Sequence, residues 1–151
     1  MMRVREFRSE IWLPRAPAEV FPFFGDATNL NLITPPWLHF EILTPGPIVM
    51  RAGTLIDYRL RVRGVPLRWR THINAWEPSH RFVDEQIRGP YRLWIHEHTF
   101  EPREGGTLAR DFVRYAVTFD FVAHAWLVRP DVEKIFEFRS RALQQQFPKS
   151  T

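Results

Sequence analysis

The spacing of apolar residues changes once along this chain, and that change limits the folds it can adopt. From about residue 38 to residue 118, apolar residues recur at every second position, in runs separated by turn-forming residues. This pattern is typical of antiparallel strands. From residue 130 to residue 147 they recur at intervals of three and four, as on one face of a helix. The sequence therefore predicts an α+β fold in which a long C-terminal helix packs on a sheet.

About seven strands are predicted, at 3–13, 38–43, 54–62, 67–76, 82–88, 91–100 and 107–117. Two short helices are predicted between the first two strands. Pro17 suits the first turn of one helix, Gly25 ends it, and Asp26 caps the second. Pro35 and Pro36 stop the second helix, because proline supplies no backbone N–H.

Composition narrows the classes of protein further. The chain has 151 residues and no cysteine, which predicts a single domain over 1–151 and excludes disulfides, thiolate metal sites and a cysteine nucleophile. The net charge is +4, yet 19 of the 21 basic residues are arginines scattered among acidic residues. The chain also lacks a P-loop, zinc-finger, dinucleotide or RNP motif. We therefore expect no nucleic-acid partner.

Two segments bear on location. Residues 1–10 lack the apolar core of a signal peptide. The longest apolar stretch, 119–128, is too short to span a bilayer. We expect a cytoplasmic protein, either a monomer or a homodimer. For 119–128 itself three interpretations stay open: a lid, a transient membrane contact, or packing beneath the C-terminal helix.

Alternation along the strands predicts one sheet face that mixes rings and aliphatic groups with a few polar side chains. A face that only packs on a helix has little use for polar groups, since each buried one without a partner costs about 1–3 kcal/mol. A ligand cavity does use them, to orient what it binds. The alternative is a solid core in which the polar groups satisfy one another. The candidate ligand-binding residues are Tyr58, Leu60, Trp69, Thr71, Phe82, Asp84, Gln86, Trp94, His96, His98, Phe100, Asp111, Val113, Tyr115, Phe136 and Arg139.

The opposite face of two predicted strands carries five arginines: Arg59, Arg61, Arg63, Arg68 and Arg70. A tight hairpin would gather them on one outer surface, where they suit an acidic partner or lipid headgroups. The alternative is a solvated face on which Asp57, Glu85 and Glu97 neutralise them in cross-strand pairs.

Several segments together carry a resemblance to a known family. They are Pro17-Ala-Glu-Val-Phe21, Ile33-Thr-Pro-Pro-Trp37, Gly53-Thr-Leu-Ile-Asp-Tyr-Arg59, Phe82-Val-Asp-Glu-Gln86, Gly89-Pro-Tyr91, Trp94-Ile-His-Glu-His98 and Asp111-Phe-Val-Arg-Tyr115. With these segments the chain resembles the START-like, or SRPBCC, superfamily, and within it the bacterial polyketide cyclase/dehydrase and coenzyme-Q-binding-like members. The resemblance implies a helix-grip fold: a curved sheet wrapped around the C-terminal helix, with a deep cavity between them that the short helices close at one end.

The functional implication of that resemblance is broader, because the fold serves carriers, cyclases, hydrolases and hormone receptors alike. We expect the cavity to bind, and in that way transport or sequester, a hydrophobic or aromatic molecule such as a lipid, quinone or polyketide. His96, His98, Asp111 and Gln86 would orient its polar end. One alternative is a cyclase/dehydratase-like enzyme, with His96, His98 and Asp111 as candidate acid-base residues. A second is a protein-interaction module without a small ligand.

The His96-x-His98 spacing is similar to the metal-binding strand of cupins. A metal would need further ligands, and Glu101 and Glu104 both stand at the wrong spacing. Only a carboxylate from another strand, Asp84 or Asp111, could complete such a site. From the sequence alone we expect no metal and no other cofactor, and instead expect imidazoles hydrogen-bonded to neighbouring polar groups or to a ligand oxygen.

Overall fold

The computed structural model describes residues 2–118 and 127–149. Seven strands of this part form one antiparallel sheet in the order β1-β7-β6-β5-β4-β3-β2. The strands are β1 (Arg5–Leu13), β2 (Glu41–Ile42), β3 (Leu55–Val62), β4 (Val65–Glu77), β5 (Arg81–Arg88), β6 (Leu93–Arg103) and β7 (Gly106–Ala116). The helices are α1 (Pro17–Gly25), α2 (Leu30–Ile33) and α3 (Arg129–Gln146). The predicted helix-grip fold is confirmed.

Two predicted strands begin later than the alternation suggests. The strand predicted at 38–43 keeps only Glu41–Ile42, because Pro36–Leu38 form a 3-10 turn and His39 follows in the left-handed region at φ 47°. The strand predicted at 91–100 begins at Leu93. Its first residues are held outside the sheet by the Gln86 side chain, as described below.

The β3–β4 hairpin turns on two residues, Arg63 and Gly64, with φ values of 51° and 80°. Positive φ at both positions is the backbone of a primed hairpin turn, which matches the twist of the flanking strands. The Arg63 guanidinium reaches Asp131 in the first turn of α3 through two hydrogen bonds, of 2.9 and 3.2 Å. This pair connects the hairpin tip to the long helix.

Helices α1 and α3 both bury apolar faces against the inner surface of the sheet. Helix α1 contributes Val20, Phe21 and Phe24 at one end. Helix α3 runs across the sheet and buries Val132, Phe136, Ala142 and Leu143. The buried apolar residues fall into three separate clusters, and a cavity lies between them.

The arginines of the outer face are largely paired. Arg70 binds Asp57 at 2.8 Å and Arg59 binds Glu41 at 2.6 Å, while Arg63 binds Asp131. Of the other two acids expected to neutralise this face, Glu97 binds Arg81 and Glu85 accepts from Asn74. Three of the five arginines are thus paired, but of the three acids expected to pair with them only Asp57 does so in the described part of the chain. Among the described residues, no helix has both the length and the apolar character needed to cross a membrane.

Candidate functional site

A cavity of about 230 Å³ lies between the inner face of the sheet and α3. Strands β3 to β6 form its floor, α3 its roof, and residues of α1 and α2 one end. Eleven of the sixteen predicted ligand-binding residues line it: Tyr58, Leu60, Trp69, Thr71, Phe82, Asp84, Trp94, His96, His98, Phe136 and Arg139. Their part in binding remains a prediction.

Four side chains from three adjacent strands form a polar cluster at this cavity. His96 and His98 share one face of β6, and the register places Asp84 of β5 opposite His96 and Asp111 of β7 opposite His98. The hydrogen bonds run diagonally: His96 Nε2 lies 2.6 Å from Asp111 Oδ1, and His98 Nε2 lies 2.6 Å from Asp84 Oδ2. The two imidazoles stack between the carboxylates, with centroids 3.6 Å apart.

Arg139 brings the cation of the cluster from α3. Its Nη2 lies 3.3 Å from Asp111 Oδ1 and 3.2 Å from His98 Nδ1. Its Nε is buried and has no hydrogen-bond partner within the described part of the chain. Arg139 also lines the cavity, so this unsatisfied N–H belongs to a cavity residue, although the atom itself is covered.

The cluster sets the charge of its own members. Burial raises the pKa of Asp111, but the Arg139 charge and the hydrogen bond from His96 outweigh it and hold that pKa well below its ordinary value. The pKa of Asp84 is also lowered: burial opposes ionisation, while the imidazoles favour it. Burial and the neighbouring His98 lower the pKa of His96. Both carboxylates are therefore ionised beside a neutral His96 at neutral pH.

The rest of the cavity wall is mostly aromatic and aliphatic, and several of its rings contact one another. The Phe82 ring stacks on His98 at 3.8 Å and 13°, which extends the imidazole stack to three rings. The rings of Trp69, Tyr91 and Trp94 pack against one another, with centroids 4.7 to 5.7 Å apart. Burial raises the pKa of the Tyr58 hydroxyl, so this phenol stays neutral. These surfaces suit a flat apolar molecule.

Five predicted site residues do not line the cavity, and their placement is corrected here. The Gln86 amide bonds the backbone of Tyr91, donating to its carbonyl at 2.8 Å and accepting from its N–H at 3.0 Å. Asp111 lies behind the imidazoles, where it orients them. The other three pack in the core clusters because the helices cover that part of the sheet face; they are Phe100, Val113 and Tyr115.

Several cavity residues were missed by sequence reasoning, mostly because they come from turns and helices. They are Phe24, Leu30, Ile33, Thr34, Leu38, Phe40, Met50, Val62, Ile73, Pro90, Tyr91, Val132 and Ile135. Alternation offered a signal for Val62 and Ile73, which share faces with predicted residues. The helix pattern likewise pointed to Phe24, Val132 and Ile135.

A second, wider cavity of about 780 Å³ adjoins the first and shares Leu38, Val62, Pro90, Tyr91 and Ile135 with it. Arg63, Gly64 and Asp131 also line this space, which places the hairpin-to-helix pair at its rim. The segment 119–128 borders it through Leu127 and Val128, but residues 119–126 lie outside the described residues. The three interpretations of that segment stay predictions.

Comparison with solved structures shows the same fold. Ara h 8.0201 has a TM-score of 0.70 at 18% identity, over 96% of this chain and 98% of that one. Zhui aromatase/cyclase from a Streptomyces species has a TM-score of 0.75 at 14% identity, over 95% and 93%. CV1439 from Chromobacterium violaceum has a TM-score of 0.75 at 14% identity, over 96% and 98%. A search among curated proteins finds no match.

The sequence itself matches one family over most of its length. Residues 13–144 match the family described as polyketide cyclase/dehydrase and lipid transport. The match includes the polar cluster, the aromatic wall and nearly all of α3. With this fold and this match, the chain belongs to the polyketide cyclase/dehydrase and lipid transport family.

Proposed function

We propose that this protein binds a small, flat, mostly apolar molecule with an oxygen acceptor at one end. The observation that carries the proposal is the charged cluster on a mostly aromatic and aliphatic cavity wall. Within the described chain, Arg139 Nε is a buried donor there without a partner. A ligand oxygen at that position would satisfy the donor, and ligand rings would pack on Phe82, Trp69 and Trp94.

Cavity size narrows the class of ligand. At about 230 Å³ the inner cavity is smaller than the roughly 300–1,000 Å³ typical of pockets for drug-sized molecules. It favours one or two rings, such as a quinone head or a small aromatic polyketide, over an extended acyl chain. A lipid would have to place its chain in the adjoining wider cavity.

Fluorescence of Trp69 and Trp94 offers a direct test. We would titrate the purified protein with 2-naphthol, naphthalene and decanoate, and follow the quenching of tryptophan emission. A hydrogen bond to a charged group contributes about 1.5–3 kcal/mol, so naphthol should bind about 10- to 100-fold more tightly than naphthalene. Decanoate should bind more weakly than naphthol.

Two variants of α3 test whether Arg139 itself recognises the naphthol oxygen. Arg139→Gln should remove most of the preference for naphthol over naphthalene. Arg141→Gln should leave it unchanged, because Arg141 is exposed and pairs only with Glu137 among the described residues. Equal affinities for naphthol and naphthalene in the unmodified protein would contradict the proposal.

A second candidate function is acid-base catalysis of cyclisation and dehydration. The observation that favours it is the 2.6 Å pair of Asp84 and His98 on the cavity wall, since a carboxylate beside an imidazole can accept and return a proton. In such a reaction the base takes a proton from a carbon next to a carbonyl group. An acid then protonates a hydroxyl on the adjacent carbon, which leaves as water while a double bond forms.

This candidate is tested with a cyclic β-hydroxyketone whose dehydration gives an enone with a new ultraviolet absorption. General acid-base residues typically contribute 10²–10⁴-fold to rate. Asp84→Asn and His98→Gln should therefore each slow turnover by roughly 10²- to 10⁴-fold while the variants still bind naphthol. Binding without turnover in the unmodified protein would exclude this chemistry for that substrate and leave the binding function.

A further inference from the structure

We infer that Asp84, His96 and His98 form a site for one divalent transition-metal ion of the zinc or iron(II) class. This inference goes beyond the proposed ligand-binding function and does not depend on it. The three residues are the one group of metal-ligating side chains among the described residues whose donor atoms lie within 4.8 Å of one another. All three line the cavity, so a bound ion would have an open position toward any ligand there.

The donor atoms converge on one edge of the imidazole stack. Asp84 Oδ2 lies 2.6 Å from His98 Nε2 and 3.8 Å from His96 Nδ1. Zinc binds nitrogen and oxygen donors at about 2.0–2.2 Å, so two donors in a tetrahedral site are about 3.3 Å apart. The observed separations lie on either side of that value. To admit an ion, His98 would move away from Asp84 and His96 toward it, and the two stacked imidazoles would rotate so that their in-plane lone pairs meet.

His96 already presents a free lone pair to this edge. Its Nε2 bonds Asp111 at 2.6 Å, and an ionised carboxylate only accepts, so the ring proton is on Nε2. His96 Nδ1 therefore carries a lone pair, and it lies 3.8 Å from the Asp84 oxygen. Two electron-rich atoms buried face to face repel each other, and a cation between them would relieve that repulsion.

His98 would join the site by exchanging its tautomer. Its Nδ1 accepts a hydrogen bond from Arg139 Nη2, and its Nε2–H group donates one to the Asp84 oxygen. When an ion takes the place of the Nε2 proton, that proton is relocated to Nδ1. Asp111 Oδ1, 3.3 Å from Nδ1, then accepts a hydrogen bond from the Nδ1–H group. No proton is lost; Arg139 keeps its hydrogen bond to Asp111 and gives up the one to His98 Nδ1, which has become a donor.

Asp111 and Arg139 form the support that metal-binding histidines usually have. Such a histidine typically donates its second N–H to a carboxylate, which fixes the ring and makes it a better ligand. Asp111 lies at the far edge of both imidazoles, and Arg139 in turn holds Asp111. Charge favours the ion as well, because two carboxylates share one guanidinium, which contacts Asp111 and acts on Asp84 only from a distance.

Spacing within β6 alone argued against a metal, because no acidic residue on that strand stands at a ligating distance along the chain. The sheet supplies the third ligand from β5, since the register pairs Asp84 with His96. The His-x-His pair and a carboxylate from the neighbouring strand therefore make a three-ligand set with one side open. Two imidazoles and a carboxylate with open positions are characteristic of catalytic zinc and of mononuclear iron(II) sites.

The test uses Zn²⁺ and Co²⁺ with the full chain after removal of metals by a chelator. Calorimetry measures Zn²⁺ affinity and stoichiometry, and the visible absorption of Co²⁺ shows whether nitrogen donors bind the ion. We expect one ion per chain. Asp84→Asn should weaken Zn²⁺ binding by more than about 100-fold, and Asp111→Asn by about 10- to 100-fold.

His80→Gln is the matched control, because His80 is exposed and lies away from the cavity lining. It should leave affinity unchanged. If Asp84→Asn fails to fold, His96→Gln replaces it, since its amide still donates to Asp111 but offers no Nδ1. Three results would overturn the inference: no Zn²⁺ binding by the unmodified protein, loss of Zn²⁺ binding in His80→Gln, or unchanged Zn²⁺ binding in both variants of the polar cluster. Naphthol titrations with chelator present test the proposed function separately.

Discussion

Arg63, in the turn between β3 and β4, is held to Asp131 at the start of α3 by two hydrogen bonds of 2.9 and 3.2 Å. Both residues line the wider cavity. The pair therefore connects sheet and helix at the rim of the wider cavity, which adjoins the inner one.

We expect Arg63→Gln to speed ligand release while hardly changing stability. Exposed ion pairs contribute about 0.2–1 kcal/mol, so stopped-flow dissociation of naphthol should accelerate about 1.5- to 5-fold and the free energy of unfolding should fall by less than about 1 kcal/mol. Arg59→Gln breaks a similarly exposed pair with Glu41 on the same hairpin. It should leave the release rate unchanged, and equal acceleration in both variants would count against this role of the Arg63–Asp131 pair.

A larger side chain in the inner cavity should weaken ligand binding and leave the free energy of unfolding almost unchanged. Leu60 lines the cavity, whereas Leu108 packs in the sheet away from it. Leu60→Phe should weaken naphthol binding at least about 10-fold and cost less than about 1 kcal/mol of stability, because the larger ring enters free space. Leu108→Phe should cost about 1–3 kcal/mol. Urea unfolding and fluorescence titration measure both, and the reverse ranking of stabilities would refute the assigned cavity.

Replacing both His96 and His98 by alanine should weaken binding of a ligand with a polar end more than it weakens folding. The imidazoles line the cavity but carry less apolar packing than the three core clusters. Naphthol affinity and urea unfolding are measured on the same preparation. A stability loss above about 4 kcal/mol, typical of a disrupted buried network, would assign the pair to structure instead.

Asp57 should make a small contribution to stability that depends on pH. Its hydrogen bond from Arg70 lowers its pKa, so the folded state binds the proton less readily than the unfolded state. This stabilisation is complete above the unfolded pKa of about 3.9 and is lost as pH falls through the lower folded value. Because both side chains are about 40% exposed, it should be below about 1 kcal/mol.

Urea unfolding of the unmodified protein and Asp57→Asn at a series of pH values measures this effect. The difference between the two proteins should be constant above about pH 5 and should vanish below the folded pKa of Asp57. A difference that grows as the pH falls would show that the pair does not act through that carboxylate.

Alternation and helical spacing predicted the antiparallel sheet and the C-terminal helix, and the family resemblance supplied the helix-grip arrangement. Alternation also placed His96 and His98 together, because residues two apart share a strand face. These patterns did not fix which carboxylate meets which imidazole. The diagonal bonds depend on the register of three strands and on ring rotation, both of which are properties of the folded sheet.

Gln86 shows where alternation fails. Its position in the strand pointed to the cavity, but its amide completes the backbone hydrogen bonding of Tyr91, where β6 has not yet begun. The β4–β5 ladder also contains register shifts between Arg70 and Thr71 and between Ile73 and Ala75. A local irregularity of this kind leaves no mark on the apolar pattern.

The shortness of β2 has a consequence for how copies of this chain meet one another. β2 pairs with β3 at only Arg59 and Tyr58, so past Arg59 no strand of the described chain covers the outer edge of β3. Open edges invite pairing between molecules, and charged side chains along an edge oppose it. A second β3 added there would have to bring Arg61 and its neighbours against their own like charges. The arginines of this hairpin thus protect the sheet from growing by edge-to-edge aggregation.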